Sequence, residues 1–196
     1  MAPPVYLASA SPRRRDLLRQ VGIPHRVVPV AVDEAPRPGE VPADYVRRLA
    51  RDKAGAGARA VAAAGLPPGL VIGADTCVVA GGEILGKPAD RAHGLAMLRR
   101  LAGAAHRVFT GVCVAAGAER REALSETRVR FAPLTDAELE AYWDSGEPRG
   151  KAGAYAIQGL AGAFVTRLEG SYSGVVGLPL HETVALLRGL GLPWPV

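Results

Sequence analysis

Leu70-Val71-Ile72-Gly73-Ala74-Asp75 is an apolar run that closes on a carboxylate. Four of its first five residues are apolar, without the alternation of a strand that faces water on one side. Such a run suits a sheet covered on both faces by helices. Asp75 is expected at the end of this strand, where ligands gather in open α/β sheets.

Working outward, Val5-Tyr6-Leu7-Ala8 reads as a second buried strand, followed by Ser9-Ala10-Ser11-Pro12 and an amphipathic helix to Gln20. Ser11 is placed as N-cap and Pro12 as first helical residue, with Gly22 ending the helix. A further strand is expected over 25–30, and a helix over 43–64 that carries Lys53 one turn beyond Leu49. Cys77–Ala80 and Glu83–Leu85 flank Gly81-Gly82 as a small hairpin. A helix over 90–101 follows. Strands over 106–116 and 122–131, joined at Gly117, form an antiparallel pair. Thr135 caps a helix over 136–143, and 146–151 reads as a charged, mobile connection. Residues 163–168 alternate like a strand, and 179–190 form a terminal helix. This order gives one α/β domain over 1–196 with a mixed sheet.

Composition narrows the function. The chain has 196 residues, 48% hydrophobic and 22% charged, which suits a buried core. No run reaches the roughly 18 apolar residues of a membrane span, and the start lacks a signal-peptide pattern. A cytoplasmic protein is expected, with no membrane partner. Cys77 and Cys113 lie in apolar runs and read as buried free thiols, and the four scattered histidines lack zinc-ligand spacing. The net charge of +5 would attract phosphate, but aromatics are only 5% and no basic tail is present, so nucleic acid is not the expected partner. Arginine outnumbers lysine twenty-one to three. Lys53, Lys87 and Lys151 therefore stand out as retained point charges.

Three segments could carry chemistry. Ser9 to Arg14 joins a strand end to a helix start, with exposed backbone N–H groups, the hydroxyls of Ser9 and Ser11, and the forks of Arg13 and Arg14. That composition suits a phosphate cradle, though a capped helix with solvated arginines has the same pattern. Asp75 could hold a cation or deprotonate a water, and Glu34 could add a second carboxylate. Gly81 to Lys87 fits the first seven places of a P-loop, but Pro88 stands where a magnesium-binding hydroxyl is needed, which excludes that ATPase class. No nucleophile elbow is present, and neither cysteine has a histidine beside it in sequence. An activated water, a cation and basic groups on a polyphosphate use more of these pieces.

Taken in order, the segments resemble the Maf family of nucleoside triphosphate pyrophosphatases, related in fold to the inosine triphosphate pyrophosphatases. The matching stretches are Leu7 to Arg14 with Leu17-Leu18, Asp33-Glu34, Leu49-Ala50 with Lys53-Ala54, Gly73 to Thr76, Gly86-Lys87-Pro88, Thr110-Gly111-Val112, Gly146-Glu147-Pro148 with Lys151 to Gly159, Gly170 to Ser173, and Val176 to Leu180 with Glu182-Thr183. The resemblance implies a mixed twisted sheet flanked by helices, with a cleft between two lobes. It implies cleavage between the α and β phosphates with magnesium or manganese, cobalt being a further candidate, and a homodimer. Asp75 would take the proton of the attacking water, with Lys53 and Lys87 as its catalytic partners. Ser9, Ser11, Arg13, Arg14, Glu34, Thr76 and Gln158 would line the substrate site, and Asp75 and Glu34 would hold the metal. Arg13, Thr76 and Gln158 would bear on base choice. Thr76 and the segment from Lys151 to Gln158 resemble the branch acting on dTTP and UTP. Gly150, Gly174 and Cys77 depart from the residues more familiar there. The alternative function is a nucleotide-binding regulator of cell division or septum formation with little turnover.

Overall fold

The computed structural model describes residues 2–195. Their contacts divide the chain into two compact units. The first gathers the chain up to Asp75, Thr110–Ser125 and the stretch from Gly177; the second gathers Thr76–Phe109 and Glu126–Val176. The strands are β1 (Val5–Leu7), β2 (Arg26–Val27), β3 (Leu70–Ala80), β4 (Glu83–Leu85), β5 (Ala105–Ala116), β6 (Glu119–Phe131) and β7 (Val165–Glu169). The helices are α1 (Pro12–Gln20), α2 (Pro42–Ala63), α3 (Arg91–Leu101), α4 (Asp136–Asp144), α5 (Tyr172–Val176) and α6 (Leu180–Gly189). Strand order is β2-β1-β3-β5-β6-β7, with β4 also on β3. Parallel pairs beside antiparallel ones make this the mixed α/β sheet expected from the sequence.

The largest departure concerns β3. It does not stop before Asp75 but runs on to Ala80, so the expected strand and the first arm of the expected hairpin are one element. Its partner changes along the way. Val5–Leu7 pair with Leu70–Ile72, and Glu83–Leu85 pair with Val78–Ala80. Asp75 lies in the interval where neither strand is paired with β3. A reading based on strand ends mistook this change of partner for a terminus. β2 is shorter than expected: Val28 still donates to the Leu7 carbonyl at 2.9 Å, but Pro29 has no N–H to continue.

In the first unit, α2 lies against β1 and β3 over a core that includes Tyr6, Ala8, Ala50, Ala54, Val61, Val71 and Cys113. Small residues set the approach. A Cβ on Gly57 would stand 2.7 Å from the Ala8 and Val71 side chains, and one on Gly73 would press on the Ala50 carbonyl and the Ala54 amide. Helix and strand backbones thus meet where Lys53 and Asp75 are carried. Burial lifts the Cys113 thiol to about 11, as befits a structural, unreactive cysteine.

The second unit contains an aromatic cluster. His106, Phe131 and Tyr155 meet edge to face with centroids 5.0–5.4 Å apart. Tyr142 and Phe164 extend it. α4 begins with the expected cap: Thr135 Oγ1 accepts from the Glu138 amide, while Glu138 accepts from the Thr135 amide at 2.7 Å. The 146–151 connection is tied rather than loose. Glu147 accepts from Tyr142 Oη at 2.8 Å, from the Leu160 amide at 2.8 Å and from the Ala161 amide at 3.2 Å. Those last two amides open a 3₁₀ turn over Leu160–Phe164, which is why β7 begins at Val165 instead of residue 163. Among the described residues, no helix is long and apolar enough to cross a membrane.

Candidate functional site

β1 ends at Leu7, and the chain turns through Ser9 into α1. Ser11 occupies the N-cap position but makes no side-chain cap bond; its amide donates to Ser9 Oγ at 3.2 Å instead. Ser9 Oγ also accepts from Arg14 Nη1 at 3.2 Å, and Arg14 Nε donates to the Gly177 carbonyl at 2.8 Å. Arg14 is 8% exposed, so one of the two arginines read as phosphate forks is mostly a strut inside the turn. Burial pulls its guanidinium below the usual range. Asp75 raises it, Arg13 lowers it and Glu34 raises it, which places these three charges around Arg14. Arg13 differs: its Nε is buried without a hydrogen-bond partner, and burial lowers its guanidinium too. Arg15 Nε is likewise buried without a hydrogen-bond partner, so the feature belongs to the first turn of α1 and not to Arg13 alone.

The centre of the group is Lys53. Its Nζ stands 2.6 Å from Asp75 Oδ1 and 2.6 Å from Glu34 Oε1. Lys53 and Asp75 are both 8% exposed, while the Glu34 side chain is 46% exposed. One ammonium thus gathers two carboxylates, one fixed on the sheet and one on a loop. The close approach of α2 at Gly73 accounts for the geometry, because Lys53 precedes Ala54 and Asp75 follows Ala74. Among the described residues, no set of three or more His, Cys, Asp or Glu is arranged to hold a metal ion.

Ser9, Arg13, Arg14, Glu34, Lys53 and Asp75 therefore come together in the first unit. Thr76, Lys87 and Gln158 belong to the second. Thr76 is half-buried on β3, whereas Lys87 and Gln158 are exposed. There the Gly153 amide donates to the Gly86 carbonyl at 3.1 Å, which joins the segment of Lys87 to the turn that leads to Gln158. Gly153 has φ 66° and stands so close to Val78 that a Cβ would lie 2.9 Å from it, so glycine is required on both counts.

The Maf-like protein family profile matches residues 4–190, nearly the whole chain. The chain is a Maf-like protein. Three relatives place this Maf-like chain more closely. A Bordetella parapertussis protein named dTTP/UTP pyrophosphatase is 54% identical, covering 98% of this chain and 95% of the relative. Proteins of the same name from Alcanivorax borkumensis and Anaeromyxobacter dehalogenans are 51% and 53% identical, covering 97% and 100% of this chain and 97% and 98% of their own lengths.

Sequence reasoning missed Arg48, Glu40 and Glu147 as parts of the architecture around these residues. Arg48 reads as one of many arginines, and a separation of eight residues from Glu40 leaves no local pattern. Glu147 falls within the 146–151 stretch that reads as a charged, mobile connection. Its neighbour in space, Gly159, carried a usable signal, since a side chain there would collide with the Glu147 carboxylate.

Proposed function

We infer that this Maf-like chain hydrolyses dTTP and UTP between the α and β phosphates, releasing the nucleoside monophosphate and pyrophosphate. The observation that carries the reading is Lys53 Nζ at 2.6 Å from both Asp75 and Glu34, beside an arginine turn with an unpaired buried N–H. The name shared by relatives above 50% identity supplies the substrate class.

The work of each residue follows from its position. The Arg13 guanidinium is assigned to a phosphate oxygen, and the Ser9–Arg14–Gly177 bonds hold the turn that presents it. Lys53 fixes the Asp75 carboxylate through Oδ1, and Asp75 orients a water and takes its proton as the water oxygen attacks the α phosphorus. The bond from the α phosphorus to the bridging oxygen breaks, and pyrophosphate leaves with that oxygen. Lys87 is assigned to phosphate charge, and Ser11, Thr76 and Gln158 to substrate contact and base choice.

The donor set suits a divalent cation. Asp75 and Glu34, gathered by Lys53, are hard oxygen donors of the type that holds magnesium through one or two carboxylates together with phosphate oxygens and water. Asp75 and Glu34 are the residues that would hold magnesium, manganese or cobalt, and the ion would supply charge neutralisation and Lewis acidity at the phosphates. A homodimer in the cytoplasm completes this reading; sedimentation checks the first point.

Product analysis across a nucleotide panel tests the activity, with Asp75→Ala as control. Monophosphate and pyrophosphate from dTTP and UTP support the assignment. Diphosphate and inorganic phosphate as primary products contradict it.

A further inference from the structure

Glu34 sits on a segment over 31–41 that contains no helix or strand and is exposed along most of its length. Such a segment does not hold a carboxylate in register by itself. Two side chains of α2 tie it down. Tyr45 Oη donates to the Glu34 carbonyl at 2.9 Å. Arg48 Nη2 donates to the Ala35 carbonyl at 3.1 Å, and the same guanidinium forks Glu40 through Nε at 2.6 Å and Nη2 at 2.7 Å. Glu40 Oε2 in turn accepts from the Arg37 amide at 3.0 Å. Arg48 also lies 5.6 Å from the centroid of the Tyr45 ring. The loop is thereby bonded at Glu34, Ala35, Arg37 and Glu40, the first of these being the residue that reaches Lys53.

The Arg48 and Glu40 side chains are each only 9% exposed, a desolvated ion pair in a region otherwise open to water. Buried pairs of this kind are a poor source of net stability, since desolvation offsets much of the attraction. What they do well is fix one geometry, and a two-bond fork from a planar guanidinium fixes orientation as well as distance. We propose that Arg48, Glu40 and Tyr45 form a positioning brace that sets the Glu34 carboxylate against Lys53 and so determines turnover at the nucleotide site. This rests on the reading of Glu34 as a member of that site. Arg48 touches no reacting atom in this scheme; it acts through the loop.

The consequence is coupling between Arg48 and Glu34 that an ordinary stabilising contact would not have. The test is a double-mutant cycle on kcat for dTTP with Arg48→Met, Glu34→Gln and the double variant, all assayed well below their melting temperatures. Arg48→Met alone is expected to lower kcat by about tenfold or more, but by less than about twofold when Glu34 is already glutamine. Arg48→Lys should restore little, because an ammonium cannot reproduce the fork. Hydrogen exchange over 31–41 should accelerate in Arg48→Met while the interior of α2 is unchanged. Should Arg48→Met fail to fold, Tyr45→Phe removes the hydroxyl that bonds the Glu34 carbonyl and enters the same cycle, with a smaller expected loss that again vanishes in Glu34→Gln. Equal losses of kcat in both backgrounds, or unchanged exchange in the loop, overturn the brace while leaving the site reading intact. Full activity of Glu34→Gln alone overturns both.

Discussion

Acidification should destabilise this protein through one histidine. His106 is 2% exposed; its Nε2 is 2.9 Å from Tyr155 Oη, and its Nδ1 is buried without a partner. Burial lowers its titration from 6.5 to about 4. The sign follows from proton counting. Above pH 6.5 the ring is neutral whether the chain is folded or not, so stability is independent of this group. Between 6.5 and 4 the unfolded chain binds a proton that the folded chain refuses, and stability falls as pH falls. At pH 5 this favours unfolding by a factor of about 30, or about 2 kcal/mol relative to pH 8. For a chain of this size that is a drop in Tm of about 4–8 °C. Thermal unfolding at pH 8 and pH 5 should be compared for the parent and His106→Phe, which keeps an edge-to-face ring beside Phe131 and Tyr155. The variant loses the Tyr155 hydrogen bond at both pH values, so that penalty cancels in the difference. Parallel changes in Tm with pH for the two proteins would refute the assignment.

Three substitutions probe the geometry elsewhere. Gly73→Ala would push a methyl group into the Ala50 carbonyl and Ala54 amide, so the urea midpoint should fall by the equivalent of about 1–3 kcal/mol, and kcat should fall with it because Lys53 moves away from Asp75. Lys53→Met removes the charge that gathers Asp75 and Glu34; pyrophosphate release should slow by about 100-fold or more, and an unchanged rate would remove Lys53 from the mechanism. Glu147→Gln keeps the size of the side chain but puts an N–H₂ against either the Leu160 amide or the Tyr142–Ala161 donors. The KM for dTTP should rise by about three- to tenfold with kcat little altered, as expected if the segment before Gly159 holds Gln158 in place.

Local pattern carried most of the fold. The Thr135 cap, the Gly81-Gly82 and Gly117 turns, and the helix that bears Lys53 are short-range features, and the chain forms them close to where the pattern puts them. β3 was misread because its two halves have different partners, and a change of partner leaves no mark on the strand itself. The candidate site was legible as residue types and resemblance, but the division of labour inside it was not. Arg13 and Arg14 are adjacent and chemically identical, yet one is a buried strut and the other holds an unpaired donor. The bonds of Arg14 to Ser9 Oγ and to the Gly177 carbonyl separate them. The same holds for Arg48 and Glu147, whose partners lie across loops and whose roles depend on contacts that no periodicity encodes.

Isotope placement distinguishes attack by water at the α phosphorus from attack at the β phosphorus. Hydrolysis of dTTP in ¹⁸O-water, followed by mass spectrometry of both products, should put the label in thymidine monophosphate and leave pyrophosphate unlabelled. Label in the pyrophosphate means attack at the β phosphorus and contradicts the role given to Asp75.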